Sequence, residues 1–143
     1  MFSKILIPID LENEQFADKA LAVAIQQATD SNASLHVVTV IPGFGMSMVG
    51  SFFPEDAIEK ALTAVTKKLK QYVNAKIPES VNVSAKVLQG KSHKEILKES
   101  KAVGADLIVI PSHNVTRVDK VLLGSTTSRV VERAKVSVMV IKP

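Results

Sequence analysis

The chain contains no cysteine. That excludes disulfides, thiolate metal sites and cysteine nucleophiles. Tryptophan is also absent, and there is only one tyrosine beside five phenylalanines. Aromatic platforms on which nucleic-acid bases could stack are therefore scarce. No apolar run approaches the roughly 20 residues of a membrane-spanning helix. Met1-Phe2-Ser3-Lys4 passes straight into the strand-like Ile5-Leu6-Ile7. This argues against an export signal and for a cytoplasmic location. The three histidines, His36, His93 and His113, lack metal-ligand spacing. No Walker-type lysine motif occurs and no general base is evident, so catalysis is expected to be negligible.

What is present is a chain of 143 residues, 46% of them apolar. That is enough for one domain, spanning 1–143, with a sizeable core. The formal net charge is +4, from 18 basic and 14 acidic residues. Lys91, Lys94, Lys98 and Lys101 can lie on one helix face, with Glu95 and Glu99 interleaved. Glu95 is close enough to Lys98 to pair on a helix surface, so a solvated face accounts for the charge better than a nucleic-acid surface does.

Apolar runs and helical periodicities alternate along the chain. Ile5–Ile9 reads as a buried strand ending at Asp10. Phe16, Ala20, Leu21, Ala24, Ile25 and Ala28 recur at helical spacing. Leu35–Ile41 is a second strand, stopped by Pro42. Residues 42–53 form a glycine-, methionine- and phenylalanine-rich connection, open to reading as a lid, a partner surface or a partly ordered loop. Gly43-Phe44-Gly45 does not complete a dinucleotide motif, because Met48 stands at its last position. Pro54-Glu55-Asp56 opens a long helix through Val73. Val81–Leu88 alternates as a third strand. Gly90 turns the chain, Ser92 and Glu95 have capping-box spacing for a third helix, and Gly104 is placed to cap its end. Leu107–Ile110 is a fourth strand, and Val136, Val138, Val140 and Ile141 mark a terminal one. Strands alternating with helices favour right-handed crossovers and an open parallel α/β sheet with helices on both faces.

The stretch Pro111–Arg133 organises the rest. A buried strand ends, Ser112-His113-Asn114 turns, nine residues follow, with Asp119 and Lys120 in an exposed turn, and Gly124-Ser125-Thr126-Thr127 opens a helix. Free N–H groups and a positive dipole end at that point make an anion site, phosphate above all. Ordinary N-capping by Ser125 or Thr126 explains the same residues. In open parallel sheets, ligands sit beyond the carboxyl ends of the strands. Asp10, the loop after Ile41 and the turn at 111–114 all lie at that edge. Asp10 is open to two readings, as a ligand-binding carboxylate or as a cap.

The whole chain resembles the universal stress protein family. The resemblance rests on Ile5-Leu6-Ile7-Pro8-Ile9-Asp10, on Ala105–Ile110, on Val138-Met139-Val140-Ile141, and above all on the spacing from 111 and 114 to Gly124-Ser125. Members that bind ATP carry G-x-x-G, nine residues, then G-[ST]; here Pro111 and Asn114 replace two of the glycines. The resemblance implies a Rossmann-like, adenine nucleotide alpha hydrolase-like sheet of order 3-2-1-4-5. It implies ATP, AMP or ADP as ligand, with Mg²⁺. It places Pro8, Ile9 and Asp10 at the adenosine end and Val40 against the adenine. It puts Ile110 and Pro111 beside the nucleotide, and Asn114, Gly124, Ser125, Thr126 and Thr127 at the phosphates. It also implies a homodimer through Val136, Val138, Val140 and Ile141, serving an unidentified regulatory partner in a stress response. Two other classes stay open: a slow ATP hydrolase, and a dimeric interaction module that no longer binds nucleotide.

Overall fold

Every long apolar run becomes a strand of one sheet. The computed structural model describes residues 1–41, 55–112, 114–115, 121–122 and 124–142. The connection at 42–53, Pro54, His113 and the Asp119-Lys120 turn lie outside the described residues. In chain order the elements are β1 (Lys4–Pro8), a 3-10 turn (Glu14–Ala17), α1 (Asp18–Ser31), β2 (Ser34–Ile41), α2 (Glu55–Lys76) and β3 (Val83–Gln89). There follow α3 (Ser92–Val103), β4 (Leu107–Pro111), β5 (Asn114–Val115), β6 (Val121–Leu122), α4 (Ser125–Arg133) and β7 (Ser137–Ile141).

The main sheet is parallel throughout, in the order β3-β2-β1-β4-β7. Counting its strands alone, this is the order 3-2-1-4-5 that the family resemblance implies. The two-residue period of a strand sorts side chains onto two faces. Ile5, Ile7, Leu35, Val37, Leu107 and Val109 pack with Ala20, Leu21 and Ala24 of α1 and Leu69, Tyr72 and Val73 of α2. Leu6, Val38, Ile108 and Ile110 pack on the other face with Ile96 of α3 and Val130 of α4. β1 and β4 present apolar side chains to both layers, which is why their sequences read as unbroken apolar runs. At the start of these strands the Asp106 carboxylate accepts from the N–H groups of Ser3 (2.8 Å) and Lys4 (3.0 Å).

Several local expectations are revised. The 3-10 turn precedes α1, so Phe16 belongs to that turn and stays 39% exposed instead of joining the helix face. The capping box at Ser92 is not formed. Lys91 is the N-cap, without a side-chain bond, and Ser92 is already helical. Glu95 instead folds back under Gly90, where a Cβ would lie 2.9 Å from its Oε1. With φ +136° as well, position 90 is closed to any side chain without rearrangement. Gly104 does end α3 in the left-handed region, its N–H reaching Ser100 and Lys101 carbonyls. Between β4 and α4, Asn114 and Val115 pair antiparallel with Leu122 and Val121. Part of what reads as loop is therefore a short ribbon.

Candidate functional site

The chain order reverses at β1, which is flanked by β2 and β4. A crevice opens beyond their carboxyl ends, as this topology requires. It encloses about 260 Å³ and is lined by Pro8, Ile9, Asp10, Val40, Ile110, Pro111, Thr126 and Thr127. These eight come from three strand ends and one helix start, and all eight are positions picked out in the sequence. Gly124 and Ser125 stand at the start of α4 beside it without lining it, and Asn114 lies in β5.

Asp10 follows β1 and is exposed. Its Oδ1 accepts from the Glu12 N–H (3.0 Å) and its Oδ2 from Asn13 Nδ2 (3.1 Å). It therefore caps the turn before α1 and lines the crevice at once. Each oxygen keeps a lone-pair direction for a further donor such as a hydroxyl. The turn it organises brings Asn13, Phe16 and Ala17 into the crevice wall.

The floor of the other end is the start of α4. Gly124 is the N-cap, with φ 81° and ψ 153° and no side-chain cap bond. Neither Ser125 nor Thr126 caps; both are inside the helix. The first intrahelical N–H bond runs from Ser128 to the Gly124 carbonyl at 2.9 Å. The N–H groups of Ser125, Thr126 and Thr127 precede it and have no intrahelical acceptor. The Thr127 hydroxyl donates to the Pro111 carbonyl (3.2 Å), which ties α4 to the end of β4. The donors left free here for an anion are the backbone N–H groups and the Ser125 and Thr126 hydroxyls.

Ser92 and Ile96 of α3 also line the crevice. The sequence points to the ends of strands one, two and four and the start of the fourth helix, and gives no sign that α3 joins them. α3 leaves the edge strand β3 and must cross back to β4, so its first turn passes over the central strands. Only the strand order shows this. The neighbouring His93 is buried, and burial together with Arg129 and Arg133 holds its imidazole below the ordinary histidine range. It adds no positive charge to the crevice near neutral pH. Among the described residues, no three His, Asp or Glu side chains gather as a metal site requires. No described helix is long and apolar enough to cross a membrane.

The sequence pattern of the universal stress protein family matches residues 1–142. The chain belongs to the universal stress protein family. Universal stress protein MJ0531 of Methanocaldococcus jannaschii is 27% identical to it over 148 residues, 99% of this chain and 83% of that protein. The solved structure of MJ0577, from the same archaeon, superposes with a TM-score of 0.80 at 27% identity, covering 100% of this chain and 97% of that one. A universal stress protein of Archaeoglobus fulgidus, solved in complex with dAMP, has a TM-score of 0.71 at 21% identity, with 98% of each chain covered. The sheet is thus the adenine nucleotide alpha hydrolase-like fold of universal stress proteins.

Proposed function

We propose that the crevice binds an adenine nucleotide and that the chain acts as a nucleotide-responsive regulatory homodimer. One observation carries this reading. Eight motif positions from four separate elements line one cavity at the switch point, with the start of α4 at its end. The dAMP complex of the Archaeoglobus relative supports adenine nucleotide as the ligand class. Pro8, Ile9, Val40 and Ile110 offer apolar walls for the base, and Asp10 offers acceptors for ribose hydroxyls. The N–H groups of 125–127 receive phosphate oxygens. The one carboxylate of the described crevice, Asp10, already accepts two hydrogen bonds at the nucleoside end. Mg²⁺ would therefore enter on the phosphates, which are its usual bridging ligands.

Pro111 and Asn114 set the affinity. Pro111 has no N–H to donate, and a lost hydrogen bond to a charged group costs about 1.5–3 kcal/mol, or roughly ten- to a hundred-fold in affinity. The Asn114 amide can donate in its place. Asn114→Gly should therefore weaken ATP binding and leave AMP binding less affected, as read by titration calorimetry. A gain in ATP affinity would instead show that the side chain obstructs the phosphates. Absence of any nucleotide binding by the intact fold would leave the interaction-module reading in its place. Among the described residues no positioned base faces the start of α4, so a phosphate-release assay should detect no sustained ATP turnover.

The dimer proposal rests on β7. It pairs only with β4 among the described residues, and Val138, Met139, Val140 and Ile141 remain partly exposed. An apolar edge of this kind is a pairing template, and two copies can close about a two-fold axis. Val140→Pro should convert a dimer into a monomer in light scattering. An unmutated chain that is already monomeric at micromolar concentration sinks the proposal.

A further inference from the structure

A second cluster lies on the α3/α4 face, roughly 13 Å along β2 from Val40 at about 3.3 Å per residue. His36 of β2 is buried, as is Glu99 of α3. His36 Nε2 lies 2.7 Å from Glu99 Oε2, and His36 Nδ1 lies 2.6 Å from Ser84 Oγ. Ser84 is the register partner of His36 on β3 and is itself exposed. Lys86, next on the same strand face, places Nζ 3.5 Å from the other Glu99 oxygen. The sequence reading put Glu99 on a solvated helix face. The structure instead turns it inward with Ile96 and Ser100.

With a neutral His36 ring and an ionised Glu99, these distances fit one arrangement of donors and acceptors. A buried carboxylate is held ionised only by good partners, and Glu99 has His36 and Lys86. An ionised Glu99 can only accept, so Nε2 carries the hydrogen. In the neutral ring, Nδ1 is then the acceptor, and the Ser84 hydroxyl donates to it. That is the order of nucleophile, base and orienting carboxylate found in serine hydrolases, which is recognised by geometry and not by sequence position.

We propose that Ser84 is an activated serine, with His36 as its base and Glu99 as the positioning residue, and that it accepts acyl groups from small activated esters. Ser84 Oγ adds to the ester carbonyl carbon while its proton passes to His36 Nδ1. The bond to the leaving alcohol breaks, and the alcohol departs with that proton. Water then attacks the acyl-serine, His36 takes and returns the proton, and the carboxylic acid is released with Ser84 restored. A groove of about 430 Å³ runs beside the cluster from Lys86 along Leu88 to Lys98 of α3 and Leu62 of α2. Its two ammonium groups are matched by the Glu95 and Glu99 carboxylates, so the groove suits an uncharged ester. A positioned base contributes about 10²–10⁴-fold, so slow acylation is expected.

The test uses a fluorophosphonate probe, which transfers its phosphonyl group to an activated serine as fluoride leaves. Peptide mass spectrometry should find the adduct on Ser84. S84A, at an exposed position that leaves the core intact, should carry none. E99Q removes the charge that stabilises the His36 imidazolium, and an amide nitrogen turned to Nε2 also holds the hydrogen on Nδ1. Labelling should then fall about 100-fold. Nitrogen-15 NMR of the unmutated protein should show Nδ1 unprotonated, a signature that a purely structural hydrogen bond does not require. A folded, unmutated protein with no adduct on Ser84, an Nδ1–H tautomer, or labelling unchanged in a folded E99Q would each overturn the proposal. Should E99Q fail to fold, S84A and the tautomer still decide it.

Discussion

Gly124→Ala is expected to abolish detectable ATP binding while leaving the sheet intact. Gly124 sits at φ 81° and ψ 153°, a region open to essentially no other residue. Forcing a Cβ there costs about 1–3 kcal/mol. The cheapest relief is to swing the chain out of that conformation, which moves the start of α4. The N–H groups of Ser125, Thr126 and Thr127 then no longer converge on one point. Losing even one charge-assisted bond costs about 1.5–3 kcal/mol, and losing the set costs on the order of a hundredfold or more in affinity. Val130 and the Thr127–Pro111 bond should keep the rest of α4 docked. Calorimetry with ATP reads the first effect, and circular dichroism with a thermal melt reads the second. ATP affinity within a few-fold of the unmutated chain would remove α4 from the proposed phosphate site. Global unfolding would show that the loop is a structural requirement first.

Leu6→Ala should give the largest loss of stability. Leu6 is fully buried in the central strand and packs with Val38, Ile96, Ile108 and Val130, joining β1, β2, β4, α3 and α4. Truncation removes the transfer free energy of the lost carbons and leaves a cavity that a central parallel strand cannot collapse to fill. The expected cost is about 2–5 kcal/mol. That corresponds to a fall of roughly 10 °C in Tm for a domain of this size. Urea denaturation should show the shift in midpoint with an unchanged slope. A loss below about 1 kcal/mol would mean that the two faces of β1 are not packed as described.

The element types, and the sheet edge at which the crevice opens, were legible in the sequence for local reasons. Strands β1 and β4 are short apolar runs with turn residues after them. The helices carry their apolar residues at three- and four-residue spacing. Gly104 ends a helix because only a residue tolerant of the left-handed region fits there. The spacing from 111 and 114 to Gly124-Ser125 is legible as a motif because it joins the end of β4 to the start of α4 within one short stretch of chain. The same local logic misled at Ser92 and Phe16. A serine three residues before a glutamate satisfies a capping box on paper, but the helix starts one residue earlier, with Lys91 as N-cap and Glu95 turned toward Gly90.

Chain-local chemistry thus determined which segments are strands and which are helices, which faces are apolar and which end of the sheet gathers Asp10, Val40, Pro111 and Thr126. The tertiary structure alone decided what stands beside what. Ser92 and Ile96 reach the crevice only because α3 must cross from an edge strand to β4. Glu99, which looks like one more charge in a lysine-rich helix, is buried because that crossing turns its side of α3 onto β2, where His36 can pair it. A helix pattern shows that one face is inward, but not which polar residue at its margin will find a partner there. That depends on a side chain 63 residues away, and no local period records it.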